Sequence, residues 1–207
     1  MSVNTVASGP WDQRIARIAA RPLARTSVTP NLVTTVSLLL AIACALLYAM
    51  GGNAADIGAV CFILAFWLDH VDGELARMTG RTSALGHYYD LAAGGVLLTG
   101  LFVGMGYGMP ESTLGGYATL LGVAAGVTIA VIFVLRMKLE ERGGKTATAQ
   151  NNVLGFETED MMYLTGPITW LDGLDSFLLL TAIGAPIYAV YALWQGRHLP
   201  GQGWSPP

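Results

Sequence analysis

The sequence predicts an all-α integral membrane protein with six transmembrane helices and an N-terminal amphipathic surface helix. Charged residues make up 12% of the 207 residues, whereas a soluble domain carries roughly 25%. Several apolar stretches are long enough to cross a bilayer, and the basic residues all fall on one side of the topology that these stretches define. Together the three observations favour one domain embedded in a membrane.

Six apolar stretches approach the roughly 20 residues that a spanning helix requires. They are residues 31–50, 55–76, 88–108, 113–136, 156–172 and 175–195. The fifth stretch is the weakest, because acidic residues open it and Gly166 and Pro167 interrupt it. The predicted organisation is a cytoplasmic N-terminal segment with a juxtamembrane helix, a six-helix membrane domain and a flexible cytoplasmic tail, over residues 1–30, 31–195 and 196–207.

The distribution of charge predicts how these spans are oriented. A cytoplasmic N-terminus puts residues 1–30, 77–87, 137–155 and 196–207 inside, and all 11 Lys and Arg residues lie in these segments or at their edge. The charged residues in the turns on the opposite side are all acidic. By the positive-inside rule, both termini lie on the cytoplasmic side of the cell (inner) membrane. The net charge of −3 gives no indication of a nucleic-acid partner. Membrane lipids are the predicted surroundings because the stretches between the charged segments are apolar.

Residues 10–23 precede the first span and alternate arginine with apolar residues at near-helical spacing. With Trp11 at the front, the pattern is typical of a short helix that lies on the cytoplasmic membrane surface. A solvated basic arm that only sets the topology is the alternative. The pattern by itself does not choose between the two interpretations.

Acidic residues collect where the second predicted span reaches the cytoplasmic side. One face of that helix carries two aspartates beside small residues, and one face of the next helix carries a third aspartate. The residues are Asp69, Asp72, Gly73 and Ala76 on the first helix, and Gly86, Asp90 and Gly94 on the second. Carboxylates that converge at a membrane edge repel one another, and a divalent cation that prefers oxygen ligands removes that repulsion. The alternative is ordinary helix-end charge, with Arg77 balancing one of the first two aspartates.

The spacing of these residues resembles the signature of the CDP-alcohol phosphotransferase family, D-x2-D-G-x2-A-R-x8-G-x3-D-x3-D. Seven of the eight fixed positions match, across two helices: Asp69, Asp72, Gly73, Ala76, Arg77, Gly86 and Asp90. The resemblance extends to the six spans with cytoplasmic termini and to the N-terminal surface helix. It also includes Thr29, Pro30 and Asn31, just before the first span.

The resemblance implies metal-dependent transfer of a phosphatidyl or related phosphoryl-alcohol group in phospholipid biosynthesis. The donor would be CDP-linked, with CDP-diacylglycerol as the first candidate, the acceptor would be an alcohol, and CMP would leave. Mg²⁺ or Mn²⁺ would be held by Asp69, Asp72 and Asp90. The residues that would hold the donor are Asn31, Asp69, Asp72, Gly73, Ala76, Arg77 and Gly86. The resemblance also implies a homodimer.

The eighth position of the signature is Gly94, where the family has an aspartate that ligates a second metal ion and is the proposed general base. No Asp or Glu occurs elsewhere in residues 91–110. Three interpretations stay open: an active transferase with a substitute base, a divergent enzyme that uses another acceptor or water, and a CDP-lipid-binding protein impaired in catalysis.

Two histidines are candidates for a substitute base: His87, three residues before Asp90, and His70, beside Asp69. A neutral imidazole can accept a proton, although a histidine beside acids is often only a hydrogen-bond partner. Acids at the start of the fifth span would supply another carboxylate, or are ordinary helix-start residues favoured by the helix dipole. They are Glu157, Glu159 and Asp160.

Two further features have more than one interpretation. Basic residues near the motif either set the topology and attract anionic lipid, or bind a phosphate on the acceptor. They are Arg81, Arg136, Lys138, Arg142 and Lys145. Glycine pairs at four-residue spacing allow helices to approach closely, either within the chain or across a dimer seam. These are Gly100/Gly104 and Gly122/Gly126.

Overall fold

The computed structural model describes residues 11–109, 112–143 and 158–197, and every regular element in these ranges is helical. The helices are α1 (Trp11–Leu23), α2 (Pro30–Met50), α3 (Asn53–Thr79), α4 (Ala84–Tyr107), α5 (Tyr117–Gly143), a 3₁₀ turn (Thr158–Leu164), α6 (Thr165–Trp170) and α7 (Leu174–Arg197). The all-α fold class is therefore confirmed.

Five of these helices are long and apolar enough to cross a membrane, by length and composition. The candidate spans are Pro30–Met50, Asn53–Thr79, Ala84–Tyr107, Tyr117–Leu139 and Leu174–Trp194. They correspond to the first, second, third, fourth and sixth predicted stretches. An apolar bundle with this many spanning helices is the architecture of an integral membrane protein.

The predicted fifth span, residues 156–172, does not form one long α-helix in the part that the structure describes. A 3₁₀ turn is followed by the six-residue α6, which is too short to cross a bilayer. Pro167 lacks a backbone N–H, so it suits the first turn of a helix and interrupts a longer one. The segment packs along α3, where the Trp170 Nε1 donates to the Asp56 carbonyl at 3.4 Å. The expectation of six spans is not confirmed.

Capping residues define where the helices around the acidic motif begin. Thr29 accepts a hydrogen bond from the Leu32 N–H and Pro30 occupies the first turn of α2, both common at a helix start. The Ser83 Oγ likewise accepts from the Gly86 N–H at 3.0 Å at the start of α4. Both motif helices are longer than the predicted spans, so only residues 80–83 separate α3 from α4.

The glycine pairs of α4 and α5 are used for packing within the chain. A Cβ on Gly104 would overlap the backbone carbonyl of Ala45 in α2, and one on Gly122 would overlap the carbonyl of Phe102 in α4. Gly126 packs on the Thr99 carbonyl, 3.0 Å from where its Cβ would lie. These contacts favour internal packing over a dimer seam at these glycines. The homodimer therefore stays a prediction without support from the glycine spacing.

The predicted N-terminal helix is present as α1, and it packs on the rest of the protein. Ala16 and Ala20 are fully buried in a cluster with Val71 and Leu75 of α3. Ile18 on another face is exposed. A freely solvated arm does not describe these residues. That α1 lies on a membrane surface stays a prediction.

Gly104→Ala is expected to destabilise the protein by about 1–3 kcal/mol, because the added methyl group forces α4 away from α2. The measurement is thermal unfolding in detergent. Gly95→Ala is the matched control on the same helix, because nothing lies within 4 Å of its added Cβ. Equal melting temperatures for the two variants would contradict the tight α2–α4 contact.

Candidate active site

Two aspartates from consecutive helices meet where the C-terminal half of α3 packs beside the N-terminal half of α4. The carboxyl groups of Asp69 and Asp90 lie within hydrogen-bonding reach of each other. Asp90 Oδ1 is buried and has no hydrogen-bond partner in the described part of the chain. Two acids so close need a shared proton or a cation between them. The predicted convergence of the two helix faces is therefore observed.

The third aspartate of the motif is oriented by a different helix. Asp72 is 3% exposed, and its Oδ2 accepts a hydrogen bond from Thr34 Oγ1 of α2 at 2.5 Å. A charge-assisted bond of this length is strong. The role of Thr34 was not predicted from the sequence, in which its only signal is its place one turn after Pro30.

The donor chemistry of this cluster fits a hard divalent cation, which prefers carboxylate oxygens. The unsatisfied Asp90 Oδ1 beside Asp69 is the best single indication of such a ligand. Over the described ranges, however, no group of three His, Cys, Asp or Glu side chains converges closely enough to form a complete metal cage. The Asp69–Asp90 pair fits one cation, and Asp72 lies close enough for the charge of Asp90 to act on it, with its Oδ2 hydrogen-bonded to Thr34 of α2.

Gly94 opens onto this carboxylate pair. A Cβ at this position would lie 3.7 Å from Asp69 Oδ1, and 3.4 Å from the nearest carbon of the Phe133 ring in α5. Both distances allow contact without overlap. Phe133 also lines an apolar cavity of about 610 Å³ between α4 and α5. Gly94 has no carboxylate, and the place that a Cβ would take is a small gap between Asp69 and the Phe133 ring.

The motif arginine is held by a buried acid. Arg77 Nη2 donates to Glu74 Oε1 at 2.9 Å, and Arg17 of α1 donates to both oxygens of the same carboxylate, at 3.0 and 3.2 Å. The Arg77 guanidinium lies over Gly73, 3.5 Å from where a Cβ would be. The direct ion pair of Arg77 is with Glu74, while its charge also acts on Asp72 and Asp90, so the alternative that Arg77 balances a motif aspartate stays open.

The N-termini of α2 and α4 adjoin beside the cluster. Asn31 Oδ1 lies 3.2 Å from the position that a Cβ on Gly86 would take. A side chain at position 86 would press on the amide of Asn31, so glycine keeps the two helix starts together. Ala76, partly exposed on α3, keeps the same surface free of bulk. Helix N-termini of this kind favour anionic ligands.

The two histidines have different surroundings. The Nε2 of His70 lies 3.0 Å from Asp12 Oδ2, and its Nδ1 lies 2.9 Å from the Phe66 carbonyl oxygen. Both ring nitrogens are thus engaged, Nε2 in a contact between α3 and α1 and Nδ1 with the backbone of α3 itself. His87 is exposed on α4. Asp12 is 1% exposed, and its contact with His70 was not predicted from the sequence.

The remaining candidate residues lie at the edge of the site or outside the description. Arg81 is exposed in the turn between α3 and α4, and Lys138 is exposed on α5. The side chains of Arg136, Arg142, Glu159 and Asp160 are not among those that the structure describes. Glu157 and Lys145 lie outside the described residues altogether.

Apolar helices around a partly buried acidic cluster define a helical membrane protein with an anionic site at the meeting point of α2, α3 and α4. The family model of the CDP-alcohol phosphatidyltransferases matches residues 27–192, which is most of the chain. The chain belongs to this family of transferases. The match includes all the motif residues on α3 and α4.

Similar proteins agree with this assignment at the level of family and fold. The chain is 37% identical, over 97 residues, to the bifunctional IPC transferase and DIPP synthase of Thermococcus kodakarensis; the match covers 44% of this chain and only 22% of that protein. It is similar in fold to the phosphatidylinositol phosphate synthase of Mycobacterium tuberculosis. The crystal structure with CDP-DAG bound gives a TM-score of 0.70 at 23% identity, over 91% of this chain and 96% of the other. The same synthase in complex with manganese and citrate gives 0.69 at 22% identity, with 90% of each chain covered.

Thr34→Val is expected to destabilise the protein by about 1–3 kcal/mol, because the buried Asp72 loses its hydroxyl donor. Thr34→Ser keeps the hydroxyl group and serves as the matched control. The measurement is thermal unfolding in detergent without added metal. If the valine variant were as stable as the unmodified protein, the Thr34–Asp72 hydrogen bond would not contribute to stability.

Proposed function

We propose that the protein transfers a phosphatidyl or related phosphoryl-alcohol group from a CDP-linked donor, CDP-diacylglycerol in the first place, to an alcohol. In this reaction the acceptor oxygen forms a bond to the phosphorus on the lipid side, the bond from that phosphorus to the CMP oxygen breaks, and CMP leaves. The hydroxyl proton passes to a base. The observation that carries the proposal is the Asp69–Asp90 pair with its unsatisfied buried oxygen, formed by the family motif.

The acidic cluster is the proposed metal site, with Asp69 and Asp90 as ligands and Asp72 as the third. Mg²⁺ or Mn²⁺ would neutralise the charge on the phosphoryl oxygens during transfer. The choice of metal is supported by the similar synthase that was solved with manganese. Thr34 holds Asp72 in place from α2, so this carboxylate is oriented before any ligand arrives.

The donor is proposed to lie between the cluster and the paired starts of α2 and α4. Arg77 would contact the pyrophosphate, with Gly73 and Ala76 leaving room for the nucleotide on α3. Asn31 and Gly86 would border the CDP moiety. Helix N-termini attract phosphate groups, and the similar synthase was solved with CDP-DAG bound.

Fewer of the described residues are candidates for the base and for binding the acceptor. With both nitrogens of His70 engaged, His87 is the better proposed substitute for the missing carboxylate. Arg81, Arg136 and Lys138 are the proposed contacts for a phosphate on the acceptor. These three residues also carry positive charge on the side that we propose to be cytoplasmic, at the inner membrane. We retain the homodimer as a proposal on the family resemblance alone.

A second candidate function is a CDP-lipid-binding protein impaired in catalysis. The observation that favours it is Gly94, where space beside Asp69 and the ring of Phe133 replace a carboxylate. Such a protein would keep the metal site and the donor site but lack the base. The two functions differ in whether CMP is released.

Asp72→Asn is expected to abolish metal-dependent binding of CDP-diacylglycerol under either candidate function, because the site loses a metal-facing charge. Binding is measured at equilibrium with Mn²⁺ and after chelation. Asp175→Asn, at the start of α7 and hydrogen-bonded to Thr113, is the control and should bind as before. Intact, metal-dependent binding by Asp72→Asn would contradict the proposed metal site.

CMP release distinguishes the two functions. The purified protein is incubated with CDP-diacylglycerol, Mn²⁺ or Mg²⁺ and a pool of alcohols, beside Gly94→Asp and its uncharged control Gly94→Asn. Release by the unmodified protein means a transferase whose base lies elsewhere, and the alcohol consumed identifies the acceptor. Release by Gly94→Asp alone supports the second candidate. No release by any of the three would contradict transfer as the function.

A further inference from the structure

The first helix is linked to the motif arginine through one buried carboxylate. Glu74 is 3% exposed and receives three hydrogen bonds: two from Arg17 of α1 and one from Arg77. Arg17 Nη2 and Arg77 Nη2 donate to the same oxygen, Oε1. The hydrogen bond and the charge of Glu74 raise the pKa of the Arg17 guanidinium, so Arg17 stays charged at any working pH.

Arg17 is not needed merely to attach α1 to the bundle. Ala16 and Ala20 are fully buried against Val71 and Leu75. Asp12 adds a separate polar contact to His70. The bidentate contact from Arg17 is thus additional to an attachment that already exists, and it ends on the residue that orients Arg77.

The charge of the trio explains what Arg17 contributes. Two guanidinium groups (+2) and one carboxylate (−1) give +1 in total. Without Arg17, Glu74 and Arg77 would form a neutral pair. Both oxygens of the Glu74 carboxylate could then accept hydrogen bonds from the Arg77 guanidinium and hold it against the protein. With Arg17 present, Oε2 is occupied and Glu74 is already balanced. The positive charge of Arg77, whose side chain is 53% exposed, then remains available to an anion outside.

We propose that Arg17 is a positioning residue for the donor site: acting through Glu74, it holds the Arg77 guanidinium toward the pyrophosphate of a CDP-linked lipid and preserves its charge. The inference rests on the proposed function, in which Arg77 contacts that pyrophosphate. It assigns to α1 a part in donor binding that its amphipathic sequence does not indicate.

The test is a double-mutant cycle on donor affinity. Binding of CDP-diacylglycerol in detergent with Mn²⁺ is measured for the unmodified protein, Arg17→Gln, Arg77→Gln and the double variant. Arg17→Gln is expected to weaken binding about tenfold, the effect of roughly one charge-assisted hydrogen bond. In the Arg77→Gln background the same change should alter affinity less than about twofold, because the group that Arg17 acts on is gone.

Two further variants separate positioning from general effects of charge and folding. Arg21→Gln removes an exposed arginine one turn along α1 and should leave affinity within about twofold, since only nonspecific attraction is lost. Arg17→Lys keeps the charge without the two-pronged fork and should restore part of the lost affinity. It is measured in both backgrounds and decides the question where Arg17→Gln is not stably folded.

Equal affinity of Arg17→Gln and the unmodified protein would overturn this inference and leave the proposed function standing. Equal losses in the two backgrounds would also overturn it, because Arg17 would then act independently of Arg77. Absence of any CDP-diacylglycerol binding by the unmodified protein would overturn the proposed function and this inference together.

Discussion

The contact between the carboxyl groups of Asp69 and Asp90 is the constraint on which the rest of the site depends. Each acid lies on a helix that is apolar over most of its length, where an uncompensated charge is costly. Facing each other, the two also repel, and one buried oxygen of Asp90 has no hydrogen-bond partner among the described residues. A fold that retains such a pair leaves a strong local preference for a cation. The neighbouring groups then act on whatever anion that cation attracts.

The close approach of these acids depends on small residues far from them. Gly104 lets α4 lie directly on the backbone of α2, and Gly122 does the same between α5 and α4. Because a helix is rigid, contacts near the C-terminal end of α4 constrain where its first turns lie. This brings Gly86 beside Asn31 and Asp90 beside Asp69. The packing of the helices in the bundle thus determines the geometry of the site.

The parts of the fold and site that the sequence predicted are those governed by local periodicity. The spacing of Asp69 and Asp72, and of Gly86 and Asp90, places each pair on one helix face, because an α-helix has 3.6 residues per turn. The short turn between α3 and α4 keeps the two helices side by side, so these faces lie close together. The long apolar helices were predicted for the same reason. The interrupted segment before α7 was not predicted. A proline within a short apolar stretch breaks the helical pattern, so the path of the segment depends on packing against neighbouring helices.

Contacts between distant parts of the chain could not be predicted in this way. Thr34 meets Asp72 across 38 residues, and Arg17 meets Glu74 across 57. Each looks ordinary in its own helix: a threonine in an apolar run, an arginine on a basic face. The role of the glycine pairs was open for a related reason, since spacing permits close approach without naming the partner. Only the arrangement of the helices supplies that partner.

Gly94 separates two requirements that a fourth aspartate would join. Holding an anionic donor depends on positive charge, which the proposed cation and Arg77 supply, and on the carboxylates that hold that cation. Removing a proton from an acceptor depends on a base next to the reacting oxygen. A carboxylate at position 94 would lie beside Asp69 and serve both needs, while adding one more negative charge to be balanced. With glycine there, the cluster carries less repulsion and binding does not require the base. Under the proposed function, affinity for the donor and turnover can therefore vary independently in this chain.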